Sequence, residues 1–240
     1  PELYHGLLGW CRYREPRVGL LCPDAIPAGV CGHEVSTIVS SVSRIFRATS
    51  AVPFFLLHAG ALCALFFPFK ASYILWILGL YYVRMFAVTA GYHRYFSHRS
   101  FKMNRFWQFC MAFLAESSGQ KGVLWWAAHH REHHRESDRE NDIHSPLQRG
   151  FWWAHVGWVL SNQYDEYDVR AVAEFAKYPE LRWLDKHHWV PNVSMGALMW
   201  IFMGWAPFLW GYVISTVLLY HCTFFINSLA HLFGTRRYDT

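Results

Sequence analysis

Residues 71–98 read ASYILWILGLYYVRMFAVTAGYHRYFSH, an apolar run that leads directly into two histidines. The first twenty of these residues carry a single charge, Arg84, and about 20 mostly apolar residues are enough for a helix to cross a bilayer. We therefore predict a transmembrane helix here, with the Arg84 side chain extended toward the nearby interface. By the same criterion residues 51–69 form another span, and residues 189–235, which contain no Asp, Glu, Lys or Arg, form two more around a turn at 204–207.

The composition of the chain is that of a membrane protein. Of its 240 residues, 53% are hydrophobic, 19% are aromatic and only 16% are charged, whereas soluble domains average about 25% charged residues. So high an aromatic content also excludes a disordered chain. We predict an all-α integral membrane protein with four transmembrane helices in two hairpins and a cytosolic helical cap that carries the histidines, and we expect no binding of nucleic acid.

The distribution of positive charge predicts the orientation of this protein in the membrane. The net charge is +5, and all Lys and Arg except Lys70 and Arg84 lie in the termini or in the central segment 91–188. Positive residues favour the cytoplasmic side of a membrane. We therefore expect both termini and the central segment to be cytoplasmic, with residues 1–50 as an unassigned N-terminal cytosolic segment and residues 51–240 as the membrane domain.

Histidines are concentrated in the segments that this topology places at the cytoplasmic boundary. Each helical residue turns by about 100°, so His130, His133 and His134 project from one face about 100° wide, a pattern that predicts metal binding. His93 and His98 would diverge by about 140°, and they can converge only if the helix ends between them or if each faces a different metal. Many imidazoles with few carboxylates favour iron, copper, nickel or zinc over magnesium or calcium.

The other histidines and the nearby carboxylates are not predicted to bind metal directly. His129 points away from the face that the triplet shares, so it is left out of the ligand set. Isolated histidines, such as His58, His155 and His221, are predicted to pack rather than to bind metal. Some carboxylates could orient the ligand rings through hydrogen bonds, the alternative being a solvated charged loop. These carboxylates are Glu132, Glu136, Asp138 and Asp142.

Three motifs together resemble one protein family. HRYFSH follows the second predicted span, HREHH lies in the next segment, and NSLAH lies near the end of the fourth predicted span. With QKGVLWWAAHH, DIHSPLQRGFWWAHVGW, YPELRW and INSLAHLFGTRRYDT, they resemble the membrane-bound fatty acyl desaturases with histidine boxes, and above all the bacterial delta-9 type. The resemblance covers about residues 51–240. It implies two irons per active site, held by residues that match His93, His98, His130, His133, His134, His231 and, through water, Asn227.

The resemblance also implies a reaction. A cis double bond, at delta-9, would be introduced into a saturated acyl chain with O₂ and two electrons, and no catalytic side chain is expected beyond the metal ligands. The substrate would be an acyl-CoA, an acyl carrier protein conjugate or a membrane phospholipid. The electron donor would be a cytochrome b5, a ferredoxin or a rubredoxin, and the location a bacterial inner membrane. The family's last histidine box, expected after GTRRYDT, does not occur before Thr240, so we expect these 240 residues alone to hold iron poorly and to be inactive.

Three further residues are candidates for substrate binding. Gln120 and Trp126, just before the second histidine box, are predicted to contact the acyl chain or its carbonyl, and Arg149 is predicted to meet a phosphate. Three alternatives to a desaturase stay open: a related histidine-box hydroxylase or ketolase, a membrane metal transporter, and an inactive remnant. The histidine clusters lie outside the predicted spans, whereas the ligands of a transporter would lie inside them.

Overall fold

The computed structural model describes the backbone of residues 48–234 and the side chains of residues 51–234. This part of the chain is mainly helical and contains no β-strand, so the predicted all-α class is confirmed. Nearly all of the predicted N-terminal segment 1–50 lies outside the described residues. The helices are α1 (Ala48–Cys63), α2 (Tyr73–Ser97), α3 (Arg105–Glu116), α4 (Val123–Glu136), α5 (Pro146–Arg149), α6 (151–160), α7 (Ala173–Ala176), α8 (Pro179–Lys186), α9 (Trp189–Met203) and α10 (Trp205–Leu232).

Two helices in the described range are long and apolar enough to cross a membrane. These are α2, with 25 residues, and α10, with 28 residues, each with a mean hydropathy of 1.5. The apolar helix α9 has 15 residues, which is about 22 Å of helix against a hydrocarbon core of about 30 Å. The apolar stretch Ala51–Phe66 is similarly short, so the arrangement of four spans stays a prediction. Large apolar side chains are exposed on all four helices, among them Phe55, Leu62, Leu75, Phe86, Ile201, Phe202 and Ile226.

Arg84 joins the two long helices. Its side chain is fully buried and donates hydrogen bonds to Ser215 Oγ at 2.5 Å and to Thr216 Oγ1 at 2.6 Å, both on α10. A third bond goes to the backbone oxygen of Leu80 at 3.1 Å. The prediction that Arg84 reaches the interface was therefore wrong. A buried guanidinium needs acceptors, and the hydroxyls that supply them belong to a helix more than 130 residues away.

Two carboxyl groups fix the start of α4, the helix that carries three of the candidate metal ligands. Asp185 Oδ1, from α8, accepts hydrogen bonds from the backbone N–H groups of Leu124 at 2.8 Å and Trp125 at 2.9 Å. Glu116, at the end of α3, accepts from the N–H of Val123 at 2.9 Å. The first N–H groups of a helix have no partner within the helix. These contacts satisfy three of them and thereby fix α4 relative to α3 and α8.

Candidate metal centre

The end of α2 brings the first two histidines together. Its last part, Ala87–Ser97, is a π-helix, in which hydrogen bonds join residues five apart and the turn is wider than in an α-helix. The N–H of His98 bonds to the oxygen of His93 at 3.0 Å in this way. The helix ends at Ser97, between the two histidines. This is one of the two conditions under which histidines with this spacing can converge. Their Nε2 atoms lie 3.2 Å apart.

Helix α4 adds two more imidazoles to this pair. His130 and His134 lie one turn apart on α4, with their Nε2 atoms separated by 3.0 Å. The Nε2 atom of His98 lies 3.2 Å from that of His130. One ligand atom from each of the four residues can be chosen so that all four atoms lie within 4.8 Å of one another. We call His93, His98, His130 and His134 the first histidine cluster.

The spacing within the first histidine cluster fits a bound transition metal. Imidazole nitrogens bind such metals at about 2.0–2.1 Å, as in zinc sites. Two ligands at right angles around one ion would therefore lie about 3.0 Å apart. The three nitrogen–nitrogen distances above are 3.0 to 3.2 Å. Four converging nitrogens without a carboxylate match the ligand preference of iron, copper, nickel or zinc.

A second group of imidazoles adjoins the first. The rings of His133 and His144 lie 4.1 Å apart, and the ring of His231, near the end of α10, lies 5.1 Å from that of His133. We call His133, His144 and His231 the second histidine cluster. The Nδ1 atom of His133 lies 3.0 Å from Asp142 Oδ1, and that of His231 lies 3.0 Å from Asp138 Oδ1. A carboxylate on one ring nitrogen orients a histidine so that the other nitrogen can bind metal.

Burial keeps His130 and His144 neutral, which is the protonation state that binds metal. Burial, followed by the neighbouring imidazoles, lowers the pKa of His130 to about 2. Burial, and after it His133, lowers the pKa of His144 to about 3. Burial alone would raise the pKa of Asp142, but hydrogen bonds from His133 and from the Asp138 backbone outweigh it and lower this pKa to about 2. Asp142 is therefore a carboxylate, able to accept from the His133 ring.

Three residues near the clusters differ in what the sequence predicted for them: one was excluded as a ligand, one was included and one was missed. His129, which the helical face excludes, lies outside both clusters, and its Nε2 atom is 3.1 Å from the backbone oxygen of Tyr164. Asn227 lies one turn before His231 on α10, where it faces the cavity described next. His144 was missed, because it lies in a loop ten residues beyond His134 and no helical spacing relates the two. The only feature of the sequence that points to it is the run DIHSP at residues 142–146.

A cavity of about 680 Å³ borders on both clusters. Trp126 forms part of its wall and stacks on the ring of His130 at 4.7 Å. Gln120 also forms part of it and donates to Thr223 Oγ1 at 3.0 Å. Most of the remaining wall is aromatic or aliphatic. It includes Phe54, Leu57, Trp125, Ile143, Trp158, Val159, Leu160, Trp189, Val193, Tyr220 and Phe224.

Arg149, the third predicted substrate-binding residue, is not among the residues that line this cavity. Its exposed guanidinium donates to the hydroxyl of Tyr164 at 2.7 Å and to Gln163 Oε1 at 3.2 Å. It also lies over the ring of Trp153, 3.6 Å from the ring centre. The structure thus brings Gln120 and Trp126 to the cavity next to the clusters, and it leaves Arg149 on the surface.

Comparison with known proteins identifies the family. No protein-family model matches the chain. The chain is 32% identical over 212 residues to the sn-1 stearoyl-lipid 9-desaturase of Anabaena variabilis, covering 85% of this chain and 75% of that protein. It is 31% identical over 202 residues to the sn-2 palmitoyl-lipid 9-desaturase of Nostoc sp. (strain 36), covering 80% and 69%. An acyl-CoA 5-desaturase of Anemone leveillei is 29% identical over 203 residues, covering 82% and 63%. This chain belongs to the fatty acid desaturases, a family of oxidoreductases of lipid metabolism.

Proposed function

We propose that the protein introduces a cis double bond at delta-9 of a saturated acyl chain. One CH₂–CH₂ unit, O₂, two electrons and two protons give CH=CH and two waters. The observation that carries the proposal is the contact between two adjoining imidazole clusters and one largely apolar cavity. The position of the double bond rests on the two relatives that act at carbon 9, since an acyl-CoA relative acts at carbon 5.

Two irons are the metals proposed for this centre. Bound iron would supply the redox chemistry that no protein side chain provides, activating O₂ to remove hydrogens from unactivated methylenes. The first histidine cluster would hold one ion. His133 and His231 would hold the other, with Asn227 acting through water. The support for this assignment is the nitrogen spacing in the first cluster and the carboxylates on the outer nitrogens of His133 and His231.

The residues of the chain bind and orient the acyl group. Each methylene that leaves water for the cavity contributes about 0.8 kcal/mol. Trp126 stacks on the ring of His130 on one side and on the ring of Tyr92, at 5.2 Å, on the other. A methylene lying against Trp126 would therefore lie beside the first histidine cluster. Gln120, whose amide nitrogen bonds to Thr223, can orient a polar group of the substrate through its remaining donor and acceptor.

We further propose that residues 51–240 form one membrane domain of four spans, with both histidine clusters on the cytoplasmic side of a bacterial inner membrane. Helix α2 ends at Ser97, next to His98, and α10 ends at Leu232, just after His231. Near the other end of α10, Trp210 donates to the backbone oxygen of Phe67, which follows α1. These contacts support a parallel arrangement of α2 and α10, with α1 antiparallel to both. A soluble electron donor would then reach the clusters from the cytoplasm.

Expression of the full-length protein in a host that lacks its own desaturase tests the proposal. Fatty acids are extracted and the positions of their double bonds are determined by mass spectrometry. We expect a new delta-9 monoene, and we expect His130→Ala and His93→Ala to abolish it. His187→Ala serves as the control, because His187 lies outside both clusters and its Nδ1 bonds to the backbone oxygen of Trp183. A hydroxylated product, or a monoene that persists in His130→Ala, would contradict the proposal.

Reconstitution distinguishes among the possible acyl carriers and among the possible electron donors. Purified full-length protein is given stearoyl-CoA, stearoyl acyl carrier protein or a stearoyl glycerolipid, each with cytochrome b5, ferredoxin or rubredoxin. We expect turnover with the glycerolipid, because two relatives are named for a stearoyl-lipid and a palmitoyl-lipid substrate. Turnover with stearoyl-CoA alone would reject this choice of carrier and leave the desaturase reaction intact.

A further inference from the structure

The cavity beside the histidine clusters reaches the surface of the protein at one side. Of the described residues that line it, only four are exposed, namely Pro53, Lys186, Trp189 and Val193. Pro53 lies on α1, Lys186 ends α8, and the other two lie in the first two turns of α9. The inner wall at Thr223, on α10, is buried. The cavity therefore opens between α1 and the start of α9.

The opening is a gap between two helices that both pack on a third. Helix α1 packs mainly on α10 and α6, whereas α9 packs mainly on α10 and α3. Helix α10 forms the inner wall of the cavity between them, through Tyr220, Thr223 and Phe224. We call the gap bounded by Pro53 and Val193 the lateral opening.

The lateral opening lies near the membrane boundary on the side of the clusters. Helix α9 begins at Trp189, shortly after Asp185, which holds the start of α4. Trp and Lys are common at membrane boundaries, where their apolar parts meet lipid and their polar ends meet water. In the proposed arrangement of four spans, Lys186 and Trp189 therefore lie at the level of the lipid head groups. Val193 lies one turn deeper, about 6 Å along the helix.

The surface on both sides of the lateral opening is apolar. Phe55 and Leu56 on α1 and Leu198 on α9 are exposed, and such a surface is typical of contact with lipid. We propose that the acyl chain of a membrane glycerolipid enters the cavity sideways from the bilayer, through the lateral opening, while its head group stays at the membrane surface near Lys186. This inference rests on the proposed desaturase function and names the acyl carrier and its route.

Sideways entry suits the chemistry of a glycerolipid. Its two acyl chains are joined at one glycerol, so the second chain must stay outside while the first lies in the cavity. Drawing the head group inside would bury a charged phosphate, which is costly without a partner. A gap between helices lets one chain enter along its length, with the other chain in the bilayer and the phosphate beside the exposed cation of Lys186.

Thiol labelling of Val193→Cys tests this route without turnover. The full-length variant is placed in vesicles of diphytanoyl phosphatidylcholine, a lipid with branched chains, and is treated with N-ethylmaleimide in the absence of an electron donor. Mass spectrometry of the peptide that contains residue 193 gives the labelling rate at this position alone. Stearoyl-oleoyl phosphatidylcholine, added at about ten times its dissociation constant, should slow this labelling about 10-fold.

A larger side chain at the same position tests the route during turnover. Val193→Trp narrows the lateral opening and lies outside both clusters. In reconstituted full-length protein the KM for the stearoyl lipid should rise about 10-fold, with kcat and the position of the double bond unchanged. Phe202 supplies the matched controls, because it is exposed on the same helix and does not line the cavity. Phe202→Cys should be labelled at one rate with and without the stearoyl lipid, and Phe202→Trp should keep the KM of the wild type.

The outcomes distinguish the inference from the proposed function on which it rests. Equal labelling of Val193→Cys with and without the stearoyl lipid would overturn lateral entry, and so would an unchanged KM in Val193→Trp. Slower labelling of Phe202→Cys to the same extent would also overturn it, by assigning the effect to the bilayer. Failure of the wild type to form a monoene from any acyl carrier would instead contradict the desaturase function, whereas the labelling would still report the route of the lipid.

Discussion

A carboxyl group far from the histidine clusters allows a quantitative test of how α4 is fixed. Glu116 is fully buried at the end of α3. One of its oxygens accepts from the N–H of Val123, and the other has no hydrogen-bond partner in the described part of the chain. Burial, with a smaller contribution from the nearby carboxyl of Asp185, raises the pKa of Glu116 to about 9. The folded protein therefore keeps this carboxyl protonated at neutral pH.

The sign and size of the effect follow from linkage. Because the pKa of Glu116 is higher in the folded state than its ordinary value of 4.5, stability is greatest below that value and falls as the pH rises toward about 9. Each pKa unit corresponds to about 1.4 kcal/mol, so about 3 kcal/mol is lost at pH 7. Glu116→Gln keeps the acceptor for Val123 and removes the ionisable group. We expect this variant to be more stable than the wild type by about 3 kcal/mol at pH 7.

The assay is the free energy of unfolding in detergent micelles, measured from about pH 6 to about pH 9. The wild type should lose stability steadily over this range, and Glu116→Gln should have a much flatter profile. Glu180→Gln is the control: this carboxylate pairs with the exposed Arg105, and its removal should leave the slope of the wild type unchanged. Equal slopes for the wild type and Glu116→Gln would refute the reasoning, as would a variant that is less stable at every pH.

Two further predictions concern the second metal and the contact between the long helices. Asp142→Asn replaces the carboxylate that orients His133, so we expect affinity for the second metal to fall 10–100-fold in a cobalt titration, with the first site unchanged. Arg84→Met should change the free energy of unfolding by less than about 1 kcal/mol, because the hydroxyls of Ser215 and Thr216 also donate to the backbone and stay satisfied. The double variant Ser215→Ala, Thr216→Ala should instead cost about 3 kcal/mol of the free energy of unfolding, since it leaves the guanidinium buried without these acceptors. Similar losses in Arg84→Met and in the double variant would contradict this asymmetry.

Features that depend on local periodicity could be predicted from the sequence. The all-helical class follows from long apolar runs, and the convergence of His130 with His134 follows from the pitch of one helix. The sequence could give only the conditions under which His93 and His98 converge, because a π-helical turn has no clear signature in the sequence. The assignment of the seven ligands by resemblance stays a prediction, with the cobalt titration and the histidine variants as its tests.

Features that depend on distant partners could not be predicted. The acceptors of Arg84 lie on α10, so its sequence neighbourhood shows only an arginine near the end of an apolar run. Glu116 is the last residue of an ordinary amphipathic helix, and its carboxyl is buried where α3 meets the start of α4. His144 was missed for the same reason, because its approach to His133 is created by the loop that carries Asp142.

Under the proposed function, we expect the position of the double bond to depend on the cavity more than on the metal ligands. Trp126 and His130 lie one turn apart on α4 and stack on each other, so one rigid helix contributes both a wall of the cavity and a candidate ligand. Under the proposed function, an acyl chain would slide past this fixed point until its polar end is stopped elsewhere along the cavity. The carbon that reaches His130 would then be set by the length of cavity between that stop and Trp126. Relatives that act at carbon 9 and at carbon 5 can therefore share a metal centre, provided that their cavity walls differ.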